Sequence, residues 1–186
     1  FFEYVQIFII SNGTETKYYS NTVRNQHVHE QASSKRGTNA KKSSNSFEFT
    51  SWWTDASNNR IADLMDFART FLAKRTILNI LTRYCVLGTD DVLYVMRPYQ
   101  ICATECILNR IFISENDKQM LGTIRAGGYV WHTTGSGKTL TSFKCAQLAS
   151  KMPCVDKVLF VVDRKDLDYQ TMKEYNKFEE GAVNSN

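Results

Sequence analysis

The residues best suited to chemistry are HTTGSGKT, His132 to Thr139. Holding a phosphate needs backbone N–H groups that converge on one anion. Gly135 and Gly137 let the chain curl in that way, because neither carries a Cβ to clash. Thr134 and Ser136 lie in the same loop, with Ser136 adding a backbone donor between the two glycines. A helix beginning behind Lys138 would add the positive end of its dipole. Lys138 would set a point charge on the β- and γ-phosphates, and the Thr139 hydroxyl is suited to ligate Mg²⁺. The pattern G-x-x-x-x-G-K-[ST] asks for glycine at position 132, where this chain carries His132. The intact GSGKT and its flanking patterns restore the match, and the stretch reads as a nucleoside-triphosphate loop. His132 reads as structural rather than catalytic.

Elements on both sides must position that loop. GGYVWH, Gly127 to His132, reads as a short buried strand leading into it. An amphipathic helix is expected over Leu140 to Lys151, closed by Pro153. KVLFVV, Lys157 to Val162, is a continuous apolar run, the mark of a parallel strand covered on both faces. A further helix is expected from Asp166 to Phe178. Strand and helix alternate, which predicts an α/β fold with a parallel sheet. Ligands of such sheets bind at the carboxyl ends of the strands, so Asp163, Arg164 and Lys165 would face the rim that holds the loop. Upstream, Pro98 suits the first turn of a helix running from Tyr99 to about Ile113, and Glu115 to Ala126 reads as a polar connection.

The first half has a different grammar. FEYVQIFIISNGTETKYYS reads as a hairpin, with Asn12-Gly13 as a two-residue turn, Lys17 to Ser20 as the returning strand, and both faces of the first strand buried. Asn21 to Ser46 has no periodicity and carries Arg24, Lys35, Arg36, Lys41 and Lys42 against Glu30. It reads as a mobile basic loop, either a solvated surface or a contact to DNA phosphates. Its His27 and His29 read as loop histidines rather than a metal pair. FEFTSWW, Phe47 to Trp53, returns to a strand pattern, and Asp55 to Asn59 make a turn. A helical face of Ile61, Leu64, Met65, Ala68, Phe71 and Leu72 follows, continuing through Ile77 to Leu81 as one long helix or two joined ones. DVLYVM, Asp91 to Met96, could be a short strand.

Composition narrows the function classes. A chain of 186 residues that is 42% hydrophobic can bury a core, which argues against wholesale disorder. No apolar run approaches the roughly 18 residues of a membrane span, and no secretory signal is visible, so a cytoplasmic protein without a membrane partner is expected. A net charge of +4 permits an anionic partner without demanding one. The five cysteines, Cys85, Cys102, Cys106, Cys145 and Cys154, show no zinc spacing and read as buried reduced thiols. Phe1 sits inside an apolar run, as in a fragment or a processed product.

MRPYQICATECIL, GGYVWHTTGSGKTLTSFKCAQLAS and KVLFVVDRKDLDYQTMKEYNKF together closely resemble the restriction (R) subunit of type I restriction–modification enzymes. YVQIFIISNGTETKYYSN and FEFTSWW resemble it too, in the same order, so the likeness covers nearly the whole chain. Histidine in place of the first loop glycine is usual in that family. The resemblance implies a motor similar to superfamily 2 helicases, with two RecA-like lobes behind a PD-(D/E)xK nuclease domain. It implies translocation of duplex DNA using ATP and Mg²⁺, endonucleolytic cleavage, and methylation (M) and specificity (S) subunits as partners. Residues 1–84 would be the C-terminal part of the nuclease domain plus a helical linker. Residues 85–186 would be the N-terminal part of the first RecA-like lobe, a parallel-sheet lobe left incomplete. Gln100 would read adenine, with Arg97 over or beside the base. Thr134 to Thr139 would hold triphosphate and Mg²⁺. Arg164, with Lys165, would contact the DNA backbone.

No DExH-type acid follows KVLFVV, no arginine-finger motif is present, and the nuclease acids would be expected upstream of Phe1. The expectation is a piece of a restriction enzyme that binds nucleotide weakly and, alone, neither hydrolyses ATP nor cuts DNA. Two alternatives stay open at this point: a standalone P-loop NTPase or kinase, and an inactive truncated fragment that binds DNA or nucleotide.

Overall fold

In the first half, apolar residues close around one sheet. The computed structural model describes residues 4–34, 47–163 and 165–183, without the side chains of 28–34 and 165–168. By its internal contacts the chain divides into two units, Phe1–Pro98 and Tyr99–Asn186.

The first unit is built on a three-stranded antiparallel sheet in the order β1-β2-β3: β1 Ile7–Ser11, β2 Thr16–Ser20 and β3 Ser51–Trp52. Central β2 alternates: Thr16, Tyr18 and Ser20 are buried, Lys17 and Tyr19 only half so. Edge strand β1 is less covered than its apolar sequence suggests, since Ile9 is exposed. The Asn-Gly turn also differs from the two-residue form. Four residues separate the paired Ser11 and Thr16, because the Asn12 side chain accepts from Thr14 N at 3.2 Å and Glu15 N at 2.7 Å and so closes a wider loop. Gly13 takes φ +96° there.

Asn21 to Ser34 is not a loop. It forms helix α1, Asn21–Ser34, against the expectation. Its start is fixed by hydroxyls rather than by an apolar stripe. Ser20 Oγ accepts from Val23 N at 3.4 Å and donates to Leu93 O at 2.7 Å, and Thr22 Oγ1 accepts from Leu93 N at 2.7 Å. The remaining basic positions of that stretch, Lys35, Arg36, Lys41 and Lys42, lie outside the described residues. The FEFTSWW strand shrinks to β3, with Phe47 to Phe49 in a turn.

Two helices cover the inner face of the sheet: α2 Leu64–Phe71 and α3 Lys74–Thr82. Asp63 caps α2, accepting from Met65 N at 2.9 Å and Asp66 N at 3.1 Å. The core is Tyr18, Phe67, Phe71 and Ile80, with Ile7, Trp53, Ile61, Ile77 and Val95 packed against it. The buried edge of α2 is therefore Phe67 and Phe71, one turn apart, while Leu64, Met65 and Leu72 from the expected face are exposed. A second hairpin, β4 Cys85–Leu87 with β5 Leu93–Val95, completes the unit.

The second unit is mainly helical. α4 Pro98–Asn116 leads through a short 3₁₀ turn, Lys118–Met120, to α5 Lys138–Ala149 and α6 Lys165–Phe178. α5 packs on α6: Phe143 meets Tyr175 at 5.4 Å and Phe178 at 5.2 Å between ring centroids, and Tyr175 OH shares a hydrogen bond with Ser142 Oγ at 2.9 Å. Burial raises the Tyr175 phenol above its ordinary pKa, against the lowering effect of the Ser142 bond. Buried Lys144 donates to Gln147 Oε1 at 2.8 Å, and Gln147 Nε2 donates to Glu179 Oε2 at 2.7 Å.

Gly127 to His132 and Lys157 to Val162 are corrections to the expected parallel sheet: neither stretch belongs to a strand, and neither is buried. Tyr129 is 91% exposed, Trp131 86%, Leu159 86% and Val161 79%. An apolar run becomes a central strand only when neighbours supply ladders on both edges and layers on both faces. Two such runs alone fall below the three strands that a stable sheet needs in water. The fold is thus mixed α/β, and the sheets among the described residues are small and antiparallel. The thiols differ from expectation in burial: none is in a disulfide, but only Cys145 is buried and Cys106 is exposed.

Candidate phosphate-binding site

Although the strand before it is missing, the loop keeps the backbone that its glycines permit. Gly135 stands at φ +75° and Gly137 at φ +79°, the left-handed region where a Cβ is strained. Ser136 N donates to Thr133 O at 3.3 Å, and Ser136 Oγ donates to the same oxygen at 2.7 Å. The result is a tight turn that delivers Gly137 as the N-cap of α5, with no side chain capping that end. The first-turn N–H groups of a helix have no intrahelical acceptor, so the loop and the α5 terminus form a cradle suited to an anion. Lys138 is exposed at its mouth, and Thr139 is half-buried one residue on. Thr134 is exposed on the turn. This donor set fits a phosphate.

The loop is braced from α4. Tyr99 OH donates to Ser136 O at 2.6 Å. Gln100 Nε2 donates to Ser136 O at 3.3 Å and to Gly137 O at 3.1 Å. Gln100 is almost fully buried, and a Cβ added at Gly137 would meet its Nε2 at 2.6 Å. The second glycine is therefore required twice, by its φ and by the amide lying against it. Tyr99 also sets its ring edge-on to His132, with centroids 5.5 Å apart, which gives His132 a packing contact beside the loop.

The structure thus brings together Thr134, Gly135, Ser136, Gly137, Lys138, Thr139 and Gln100. It directs the Gln100 amide nitrogen at the loop's own carbonyls. Arg97 is exposed and belongs to the first unit. Arg164 lies outside the described residues, and Lys165 is described only as the first residue of α6. Tyr99 was missed from sequence. Its signal was its place in the first turn of α4 beside Gln100, but nothing in a lone tyrosine says that its hydroxyl reaches a loop 37 residues away.

Nearby thiols do not add a nucleophile. Burial raises the Cys102 thiol first, helped by Cys106 one turn away, and donating a hydrogen bond to the Glu115 carboxylate raises the Cys154 thiol. Among the described residues no group of three metal-binding side chains gathers, and no helix is long and apolar enough to cross a membrane.

Comparison with known proteins follows this geometry. The SWI2/SNF2 ATPase family matches residues 99–186. A Mycoplasma pneumoniae protein, described as the C-terminal part of an inferred type I restriction enzyme endonuclease subunit, is 54% identical over 131 residues, which is 70% of this chain and 64% of that protein. A type I restriction enzyme endonuclease subunit from Staphylococcus aureus is 43% identical over 183 residues, covering 98% of this chain and 17% of the subunit. Another from Escherichia coli, named EcoprrI, is 40% identical over 131 residues, covering 70% of this chain and 36% of that protein. The chain therefore spans less than two thirds of the length of each of these relatives.

Proposed function

We propose that this chain belongs with the endonuclease subunits of type I restriction enzymes, to which it is similar, and that it contributes the nucleotide-binding start of an ATP-driven DNA translocase that also cuts DNA. The single observation that carries this reading is the left-handed Gly135–Ser136–Gly137 turn at the uncapped N-terminus of α5, with Lys138 and Thr139 beside it.

In this reading the backbone of residues 135–139 receives the β- and γ-phosphates, Lys138 neutralises them, and Thr139 holds Mg²⁺. The bound ion supplies charge neutralisation between the phosphates when ATP is present. Tyr99 and Gln100 keep the loop carbonyls turned away from the anion. Gln100 has a second task, offering its amide oxygen to the adenine amino group, since its Nε2 is held on Ser136 O and Gly137 O. Arg164 and Lys165 meet the DNA backbone. Residues 1–84 are the C-terminal part of a PD-(D/E)xK nuclease domain and its linker, and residues 85–186 begin a RecA-like lobe. In the full-length subunit Gly127–His132 and Lys157–Val162 join a parallel sheet. The exposed Trp131, Leu159 and Val161 support that reading, since runs of exposed apolar side chains mark surfaces that another element covers. DNA and the methylation and specificity subunits are its partners.

Calorimetry with Mg²⁺-ATP on this chain and on Lys138→Ala tests the proposal. The expected result is weak binding by the wild type, its loss in Lys138→Ala, and no steady turnover by either. Equal binding by both proteins would refute the loop as the phosphate site. Steady Lys138-dependent hydrolysis by the chain alone would instead make it a complete NTPase.

A further inference from the structure

We propose that the outer face of the first unit's sheet, opposite the α2–α3 core, binds single-stranded nucleic acid by base stacking. The strand register places the residues. Phe8 lies opposite Tyr19, and Lys17 lies opposite Trp52. Tyr18, between Lys17 and Tyr19, is buried in the core on the other side. Phe8, Lys17, Tyr19 and Trp52 therefore share one face by the alternation of a pleated sheet.

That face is aromatic and connected. Phe8 stacks on Tyr19 with centroids 5.3 Å apart and planes 14° apart, and Tyr19 meets Phe49 edge-on at 4.9 Å. Its charge is positive. Lys17 Nζ sits 4.6 Å from the Trp52 ring centroid and the Arg60 guanidinium 5.1 Å from it. None of the three strands carries an Asp or Glu. Phe8, Tyr19, Phe49 and Trp52 remain half-buried rather than closed in, although the same rings packed elsewhere in this unit, Tyr18, Phe67 and Phe71, are sealed.

Rings interleaved with cations on a half-covered sheet face, where His27 of α1 also lies 5.6 Å from the Phe49 ring, match the two needs of an unpaired strand: aromatic surface for bases and positive charge for phosphates. A duplex hides its base faces and could use only the cations. This proposal does not depend on the nucleotide reading.

The test is fluorescence anisotropy of this chain with a labelled oligothymidine, the same strand in a duplex, and an oligouridine. The single strand should bind at least five-fold tighter than the duplex. Phe8→Leu and Tyr19→Leu, which keep apolar bulk but remove the ring, should each lose roughly five-fold or more in affinity. Lys17→Gln with Arg60→Gln should flatten the salt dependence by about 1.4 in log–log slope, at about 0.7 per lost phosphate contact. Arg75→Gln with Lys74→Gln, the same loss of two charges on α3, should leave both readings unchanged. If the leucine variants lower the urea midpoint, the Lys17 and Arg60 pair still decides the question. Tighter binding of oligouridine would support the stacking face and identify RNA as its source of bases. No binding of either strand, or equal loss with the Lys74 and Arg75 pair, would overturn the proposal and leave the face to a protein partner.

Discussion

Phe71 in the first unit is fully buried, ringed by Tyr18 at 4.8 Å, Phe67 at 4.7 Å and Trp53 at 5.1 Å. Leu159 in the second unit lies in the most apolar run of the chain, yet it is 86% exposed. The contrast is between a core whose partners come from nearby sequence and a strand candidate whose partners must come from elsewhere. Hydrophobicity sets what a segment can bury. Only neighbours decide whether it does. The largest test of the comparison is a pair of truncations. Phe71→Ala should cost about 3–5 kcal/mol, because it empties a packed aromatic site. Leu159→Ala should change stability by less than about 0.5 kcal/mol, as an exposed side chain does. Urea unfolding followed through the Trp53 emission reads the first, and circular dichroism of the helices reads the second. Similar costs at the two sites would break the contrast.

Within the second unit the phosphate loop is the locally determined part, and two glycines sharpen the point. Gly135 and Gly137 share nearly the same φ, so an alanine at either is strained by about 1–2 kcal/mol. Only at Gly137 would the new Cβ strike the Gln100 amide. Gly137→Ala should therefore weaken Mg²⁺-ATP binding about ten-fold more than Gly135→Ala, by displacing a side chain that makes two hydrogen bonds. Gln100→Ala in the Gly137→Ala background should recover part of that difference in a double-mutant cycle. Additive losses would mean that the amide does not brace the loop.

The same division explains what could be read from the sequence. The loop was legible because its chemistry is local: two glycines, a lysine and a threonine within five residues. The helices α4, α5 and α6 were legible from period and from proline, as was the Asp55–Asn59 turn. The α1 helix was not, since its sequence has no apolar stripe and its start is held by the Ser20 and Thr22 hydroxyls reaching Leu93, some 70 residues on. The exposed side of α2 was misread because Leu64, Met65 and Leu72 are as apolar as Phe67, and only the position of Tyr18 decides which edge is buried. The two apolar runs of the second unit were misread for the converse reason: their pattern states a demand for cover that these residues do not meet.

A smaller effect probes the local signals that close the first unit. Asp63 holds the first turn of α2 by two backbone N–H groups. Asp63→Ala should cost about 1 kcal/mol in the urea experiment, the usual cost of losing a cap. Ser150 ends α5 without comparable side-chain capture of N–H groups, so Ser150→Ala should cost less. If the two substitutions cost the same, capping does not separate the units.

The smallest expected effect is electrostatic, and it isolates one turn. Asp55 lies between β3 and α2 and is exposed. Its carboxyl is held below the ordinary value chiefly by the Asn59 side chain, whose Nδ2 donates to Oδ2 at 2.9 Å, and then by the Asn59 backbone N–H at 2.8 Å from Oδ1; slight burial acts the other way, and the Ser57 N–H adds to the lowering. A depressed folded pKa stabilises the fold above the unfolded value of about 3.9, and that contribution is lost as pH falls through the folded one. The turn should therefore stay closed at neutral pH and loosen only under acid conditions, below the ordinary aspartate midpoint. Following the Asp55 carboxyl and the Asn59 side-chain amide by NMR between neutral and acid pH measures both ends of the same bond. Asn59→Ala should move the Asp55 midpoint back up toward its ordinary value, while a carboxyl that already titrates there in the wild type would show that the turn is held by its backbone alone.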